Sequence, residues 1–183
     1  RPAMELIDLI KANTMSKKNI FGPVIAVLSI SLSLVSCSSS PDTMITGELK
    51  TWHTVSLTFD GPSASEYDTL NPFLDYRFNV LFSNGIQEFD VPGFFAADGN
   101  AAETSAESGN KWKVHFCPPS DGVWKYSVSF QKGKNIAVAD DQVRGEDCYF
   151  NGTSGEMTIE KSGKADPDLR SKGRLIYDGS RYL

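Results

Sequence analysis

Apolar and polar residues alternate with a period of two along much of this chain. Leu74, Tyr76, Phe78, Val80 and Phe82 are interleaved with Asp75, Arg77, Asn79 and Leu81. Trp112, Val114 and Phe116 are interleaved with Lys111, Lys113 and His115. Trp124, Tyr126, Val128 and Phe130 are interleaved with Lys125, Ser127 and Ser129. Side chains of a strand point alternately to opposite faces, so each run predicts a strand with one face in a core. Burying an aromatic or branched side chain of this size contributes about 1.5–3 kcal/mol.

Turn chemistry separates the runs. Asn84-Gly85 lies between the Leu74–Phe82 run and a short Gln87–Val91 run, which predicts a type I′ hairpin. Pro118-Pro119-Ser120-Asp121-Gly122 joins the two tryptophan strands, and Asn151-Gly152 and Asp178-Gly179 mark further turns. Asp60 to Pro72 and Ala96 to Asn110 read as long loops, the second mobile because it has no aromatic residue to hold it. Lys161 to Lys172 is charged and reads as a surface connection. Beyond residue 37 no stretch has the pattern of an amphipathic helix. The expected fold is all-β, an antiparallel sandwich of eight or nine strands, immunoglobulin-like or jelly-roll-like.

One segment breaks the alternation. Ile20 to Val35 is continuously apolar, follows Met15 and the pair Lys17-Lys18, and ends in Leu34-Val35-Ser36-Cys37. It is short for a membrane-spanning helix and has the build of a signal peptide. The cysteine at its end resembles the lipobox of bacterial lipoproteins, which implies a lipid on Cys37 and export to the periplasm or cell surface. An ordinary signal peptide or a lone membrane helix is the competing reading. On the lipoprotein reading, residues 1–14 are an upstream extension outside the fold. Residues 15–36 are the signal peptide, 37–46 a serine-rich tether and 47–183 the folded domain.

The whole chain of 183 residues has a net charge of −5. From Cys37 onward 14 basic residues face 21 acidic ones, with no basic cluster, which argues against a nucleic-acid partner. Lipidation of Cys37 would leave Cys117 and Cys148, 31 residues apart, in an oxidising compartment. A disulfide there would contribute about 3–4 kcal/mol; two free buried thiols are the alternative. Two cysteines and the scattered His53 and His115 are too few for a zinc site. Asp98-Gly99-Asn100 and Asp140-Asp141 lack the spaced oxygen ligands of a calcium loop and read as turns. No metal or cofactor is expected.

Nor does a catalytic constellation stand out. Asp75, Asp121, Glu146, Asp147 and Glu160 fall in turns or on polar strand faces, and none forms a distinct carboxylate pair. His53 and His115 read as surface or edge residues. The aromatic residues are the binding candidates, since a ring face complements the C–H face of a sugar. Trp112, Trp124 and Tyr126 follow core parity. Trp52 lies on the opposite parity from Val55, Leu57 and Phe59. A bulge near His53-Thr54 or a neighbouring domain buries it, or it is an exposed glycan platform. Phe94 and Phe95 form a pair with one ring inward and one outward, as do Tyr149 and Phe150. Trp52, Phe94, Phe95 and Tyr149 are therefore the candidate glycan or interdomain contacts.

Several short motifs then occur in order: Gly61-Pro62, Asn71-Pro72-Phe73, Gly93-Phe94-Phe95-Ala96-Ala97-Asp98-Gly99, Trp112 to Pro118, Gly122 to Tyr126, and Gly173 to Gly179. Their succession, from about Gly47 to Leu183, resembles the β-sandwich known as domain-of-unknown-function family 5060. Cys117 departs from that family's pattern. The resemblance implies an N-terminal module that precedes a glycoside-hydrolase-like barrel in secreted bacterial proteins acting on polysaccharides. It also implies that the catalytic acids lie in that barrel, so no catalytic residue carries over to this chain. Two functions follow as expectations. One is a non-catalytic module, cut off before the barrel, that packs on and positions a lipid-anchored hydrolase. The other is a free-standing carbohydrate-binding or adhesive surface lipoprotein domain.

Overall fold

The computed structural model describes residues 43–182. The lipobox cysteine Cys37 and the whole signal segment lie outside these residues. Nine strands are present among them: β1 (Thr43–Gly47), β2 (Val55–Ser65), β3 (Tyr76–Ser83), β4 (Glu88–Pro92), β5 (Phe94–Phe95), β6 (Ser108–Phe116), β7 (Gly122–Lys132), β8 (Glu146–Asp147) and β9 (Ser154–Ile159). They form two antiparallel sheets. One has the order β1-β2-β6-β5, and the other β4-β3-β7, with β8 and β9 sharing the far edge of β7. The expected all-β sandwich is what the chain forms. The region expected to be tether contributes its last residues to β1, which pairs with β2 from Thr43↔Phe59 to Gly47↔Val55.

The alternating residues meet between the sheets. Phe59 pairs with Trp112 in the first sheet, and Phe78 with Phe130 in the second. Phe82 stacks on Phe116 across the interior at 4.1 Å and 5°. Phe150, from the turn before β9, stacks on Phe130 at 4.3 Å and on Phe59 at 4.9 Å. Each such ring pair contributes about 0.5–1.5 kcal/mol beyond its burial. Trp112 and Trp124 are fully buried, and their indole N–H groups donate to the carbonyls of Pro62 (3.3 Å) and Ser120 (3.0 Å).

Two glycines are dictated by the packing. A Cβ on Gly61 would stand 2.5 Å from the Trp112 ring and 2.8 Å from Phe150. At Gly93, where the chain crosses from β4 to β5, a Cβ would fall 2.1 Å from the Phe78 ring.

Several expectations need correction. The first part of the expected loop after Asp60 is strand, because β2 continues to Ser65 through an irregularity between Asp60 and Ala64. The irregularity carries Pro62 past the missing ladder bonds, where its lack of an N–H leaves no partner unpaired. The expected mobile loop after Ala96 is built around Asp98. Its carboxylate accepts from Asn100 N–H (2.8 Å) and the Thr104 hydroxyl (2.7 Å) and precedes the helical turn α1 (Ala101–Thr104). The Asn84-Gly85 turn is not the two-residue type I′ form. It has four residues, with Asn84 Oδ1 accepting from Ile86 and Gln87 N–H. Leu74 lies outside β3 and is 41% exposed, so core parity begins at Tyr76. Asp75 beside it accepts from the N–H groups of Asn71 (2.8 Å) and Asn135 (2.7 Å) and ties two loops together.

The expected Cys117–Cys148 disulfide is not formed, and both residues are free thiols. Cys117 follows Phe116, whose ring packs on Trp124 at 5.1 Å. Cys148 lies at the other end of β7, its thiol 3.8 Å from the Phe130 carbonyl oxygen. The six residue steps from Trp124 to Phe130 span about 20 Å, far beyond a disulfide's reach. Partial desolvation raises both thiols above their ordinary pKa, although Cys117 is exposed and Cys148 only half-buried.

Candidate functional site

The candidate aromatics fall in separate places. Trp52 sits in a tight turn before β2 with φ +61, a left-handed conformation that is rare for a bulky residue. Its N–H donates to the Pro118 carbonyl at 2.9 Å. The indole is half-buried, and it is neither turned into the core by a bulge nor left as an open platform. Gly173 of the C-terminal segment approaches so closely that a Cβ there would stand 3.2–3.3 Å from three indole atoms. Such a Cβ would need the indole to give by a few tenths of an ångström, and the φ of +79 at Gly173 itself favours glycine. Trp52, Phe89 and Pro119 of the sandwich face Lys172, Gly173 and Ile176 across a groove of about 480 Å³.

The expected surface or edge placement of His53 needs correction. Far from being a surface residue, it is 3% exposed. Its Nε2 lies 3.1 Å from Ser162 Oγ and its Nδ1 3.4 Å from a Glu48 carboxylate oxygen. Thr51 supports the same junction: its hydroxyl accepts from Ser162 N–H (2.9 Å), and its N–H donates to the Glu160 carbonyl (2.9 Å). These contacts fasten the start of the C-terminal segment to the sandwich. A signal for them was present, because Thr51 and His53 share the parity of Val55, Leu57 and Phe59.

Past this junction the apolar side chains turn outward. Leu169, Leu175, Ile176, Tyr177 and Tyr182 are all exposed. The backbone there is held locally. Asp178 accepts from the N–H groups of Ser180 and Arg181, both at 2.9 Å, and Tyr177 packs on Tyr182 at 5.1 Å. Those N–H groups hold the Asp178 carboxyl below its usual range. Arg170, hydrogen-bonded through its guanidinium and its N–H, does the same to Asp168.

The other candidates divide as the pairs suggest. Phe95 is buried between Trp112 (5.2 Å) and Phe73 (6.0 Å), whereas Phe94 is 41% exposed beside His115 at 5.2 Å. His115 is exposed as expected, with its Nδ1 2.8 Å from the Ser56 hydroxyl. Phe73, Phe94 and Pro92 frame an apolar slot of about 270 Å³. Tyr149 is exposed with φ +46, next to the buried Phe150 near Phe130. Trp52 lies instead by Pro118 and Phe89, so the structure does not join these rings into one platform.

Acidic residues serve structure. Backbone N–H groups of Asn135 and Asn71 hold Asp75 below the usual carboxylate range, and the Thr104 hydroxyl and Asn100 N–H do so for Asp98. A general acid near neutral pH needs the opposite shift. Among the described residues no group of three His, Cys, Asp or Glu side chains could hold a metal ion, and no helix is long and apolar enough to cross a membrane.

Residues 48–131 match the family described as "Domain of unknown function (DUF5060)". The resemblance seen in the motifs is borne out over that span, from the Trp52 turn to the end of β7. A solved structure from Bacteroides vulgatus, described as a candidate glycoside hydrolase, is similar at 23% identity with a TM-score of 0.41. The similarity covers 63% of this chain and 16% of that one, so the chain spans about a sixth of that protein. No curated protein matches.

Proposed function

We propose that this chain, which carries a DUF5060 match over residues 48–131, is the non-catalytic sandwich module of a larger polysaccharide-active glycoside hydrolase. On this reading Cys37 is its lipid anchor in the cell envelope, and its Trp52 end packs against the catalytic domain. The observation that supports the reading is the C-terminal segment. Thr51 and His53 grip it at its start and Trp52 packs against Gly173, yet Leu175, Ile176 and Tyr177 beyond these contacts are exposed. Exposed apolar side chains gathered in one short segment are the kind that a partner surface covers. Interdomain contacts within one chain are the usual cover at such a boundary.

The test is to read the coding frame past the Leu183 codon and express the product. The reading expects the frame to continue into a domain with paired carboxylates. Replacing those carboxylates should abolish polysaccharide hydrolysis, and Trp52→Ala should loosen the junction while leaving them intact. A stop codon directly after Leu183 would overturn the reading. The anchor is tested separately: Cys37→Ala should abolish palmitate labelling and leave an uncleaved precursor, and normal labelling of that variant would contradict it.

A further inference from the structure

The outer face of the second sheet carries a groove that the packing role does not use. On β3 and β7 the outward positions are Arg77, Asn79, Leu81 and Ser127, Ser129, Gln131. The serines are small, so they leave a channel of about 450 Å³ along the strands. A second hollow of about 370 Å³ shares Leu81 and Ser127 with the first and continues toward Ser154 and Glu156 of β9. From Arg77 to Ser83 the channel runs about 20 Å along β3.

The groove is held in shape by groups that have no part in the core. The Arg77 guanidinium lies on the sheet face and donates to the carbonyls of Ile136 (3.0 Å), Ala139 (2.7 Å), Asp140 (3.1 Å) and Val143 (3.0 Å). It therefore fixes the loop that carries Asp141 and Arg144 as a wall at one end. Gln131 is 5% exposed, its amide donating to Asp147 at 2.8 Å. Asn79 donates to Asp90 at 2.9 Å, which orients one amide oxygen and one carboxylate oxygen at the rim. Preorganised polar groups of this kind lower the ordering cost of binding.

The lining also selects a ligand class. Three cationic side chains (Arg77, Lys125, Arg144) balance three anionic ones (Asp90, Asp141, Glu156). Balanced charge does not suit a polyanion. One exposed leucine among serines and amides offers too little apolar area for a protein partner. A hydroxyl-rich neutral chain needs alternating donors and acceptors with a small apolar contact for its C–H faces, and the groove has both. We propose that this groove binds a short stretch of neutral polysaccharide. The proposal stands independently of any domain that follows the chain.

Affinity electrophoresis of the full chain tests it, in native gels containing hydroxyethyl cellulose, galactomannan or arabinoxylan, with polygalacturonate as the anionic comparison. At least one neutral polymer should retard the protein. Ser127→Trp fills the channel from an exposed position, and Asp141→Ala removes a wall acceptor. Each should weaken association about tenfold, the effect of one or two lost ligand contacts, with an unchanged near-ultraviolet dichroism spectrum. Migration unaffected by every neutral polymer would overturn the proposal. Retardation that survives both variants would overturn the placement, and retardation by polygalacturonate alone would overturn the ligand class.

Discussion

The interior of the sandwich and the C-terminal segment use the same kinds of side chain in opposite ways. Ile159 at the end of β9 is 2% exposed, whereas Ile176 in the segment is 65% exposed. In β9 alternation delivers Met157 and Ile159 to a waiting partner sheet. In the segment Leu175, Ile176 and Tyr177 are consecutive, and consecutive side chains of an extended chain cannot share one face. Just beyond them the Asp178 carboxylate holds a local turn by accepting from the Ser180 and Arg181 N–H groups, and that turn does not bury them. An apolar residue is core only where the pattern and a partner layer coincide. Where the pattern fails, the residue is free to meet a different partner.

The contrast can be broken most forcefully from the interior. Phe130→Ala removes a fully buried ring that packs on Tyr76, Trp112 and Phe150. It should destabilise the domain by about 3–5 kcal/mol, measured by urea unfolding. Gly93→Ala comes next. Its methyl would collide with the Phe78 ring, and repacking should lower stability by about 1–3 kcal/mol in the same assay.

Acid sharpens the contrast from another side. The carboxyls of Asp75, Asp98 and Asp178 have folded-state pKa values below their ordinary ones. A depressed carboxyl contributes stability that is present above its unfolded pKa of about 4 and lost as pH falls through the folded value. Thermal midpoints should therefore drop below about pH 4. Asp75→Asn should make that drop shallower, and Asp178→Asn should leave the global midpoint nearly unchanged because its turn is local. The smallest effect is expected at the segment's surface. Ile176→Ser should change the stability of the chain by no more than about 0.5 kcal/mol, since this side chain is 65% exposed on the rim of the Trp52 groove.

Much of this architecture was legible in the chain's alternation. The inward faces of β3, β6 and β7 follow from period two, and Phe94-Phe95 divides one out, one in as consecutive strand residues must, whereas Tyr149-Phe150 divides within a turn where Tyr149 has φ +46. Gly61-Pro62 misled, because a proline in a strand reads as a loop unless the partner's irregular register is known. The cysteine pairing failed for a related reason. Sequence separation gives loop length, but the ends of β7 that separate Cys117 from Cys148 exist only once the strands are paired. Histidine's polarity reads as surface, whereas the parity of His53 places it with the buried Val55. The groove on the outer sheet face was not legible, since it depends on Arg77 reaching across to a loop some sixty residues away.

The central claim is that the C-terminal segment is an interface awaiting its domain. Amide hydrogen exchange across residues 169–182 tests it most directly, measured in this chain alone and in the longer polypeptide encoded by its natural reading frame. The account predicts rapid exchange in the chain alone and at least about tenfold slower exchange once the following domain is present, as expected when exposed backbone is covered. Equal exchange in both, with Trp52 and His53 still in place, would contradict it.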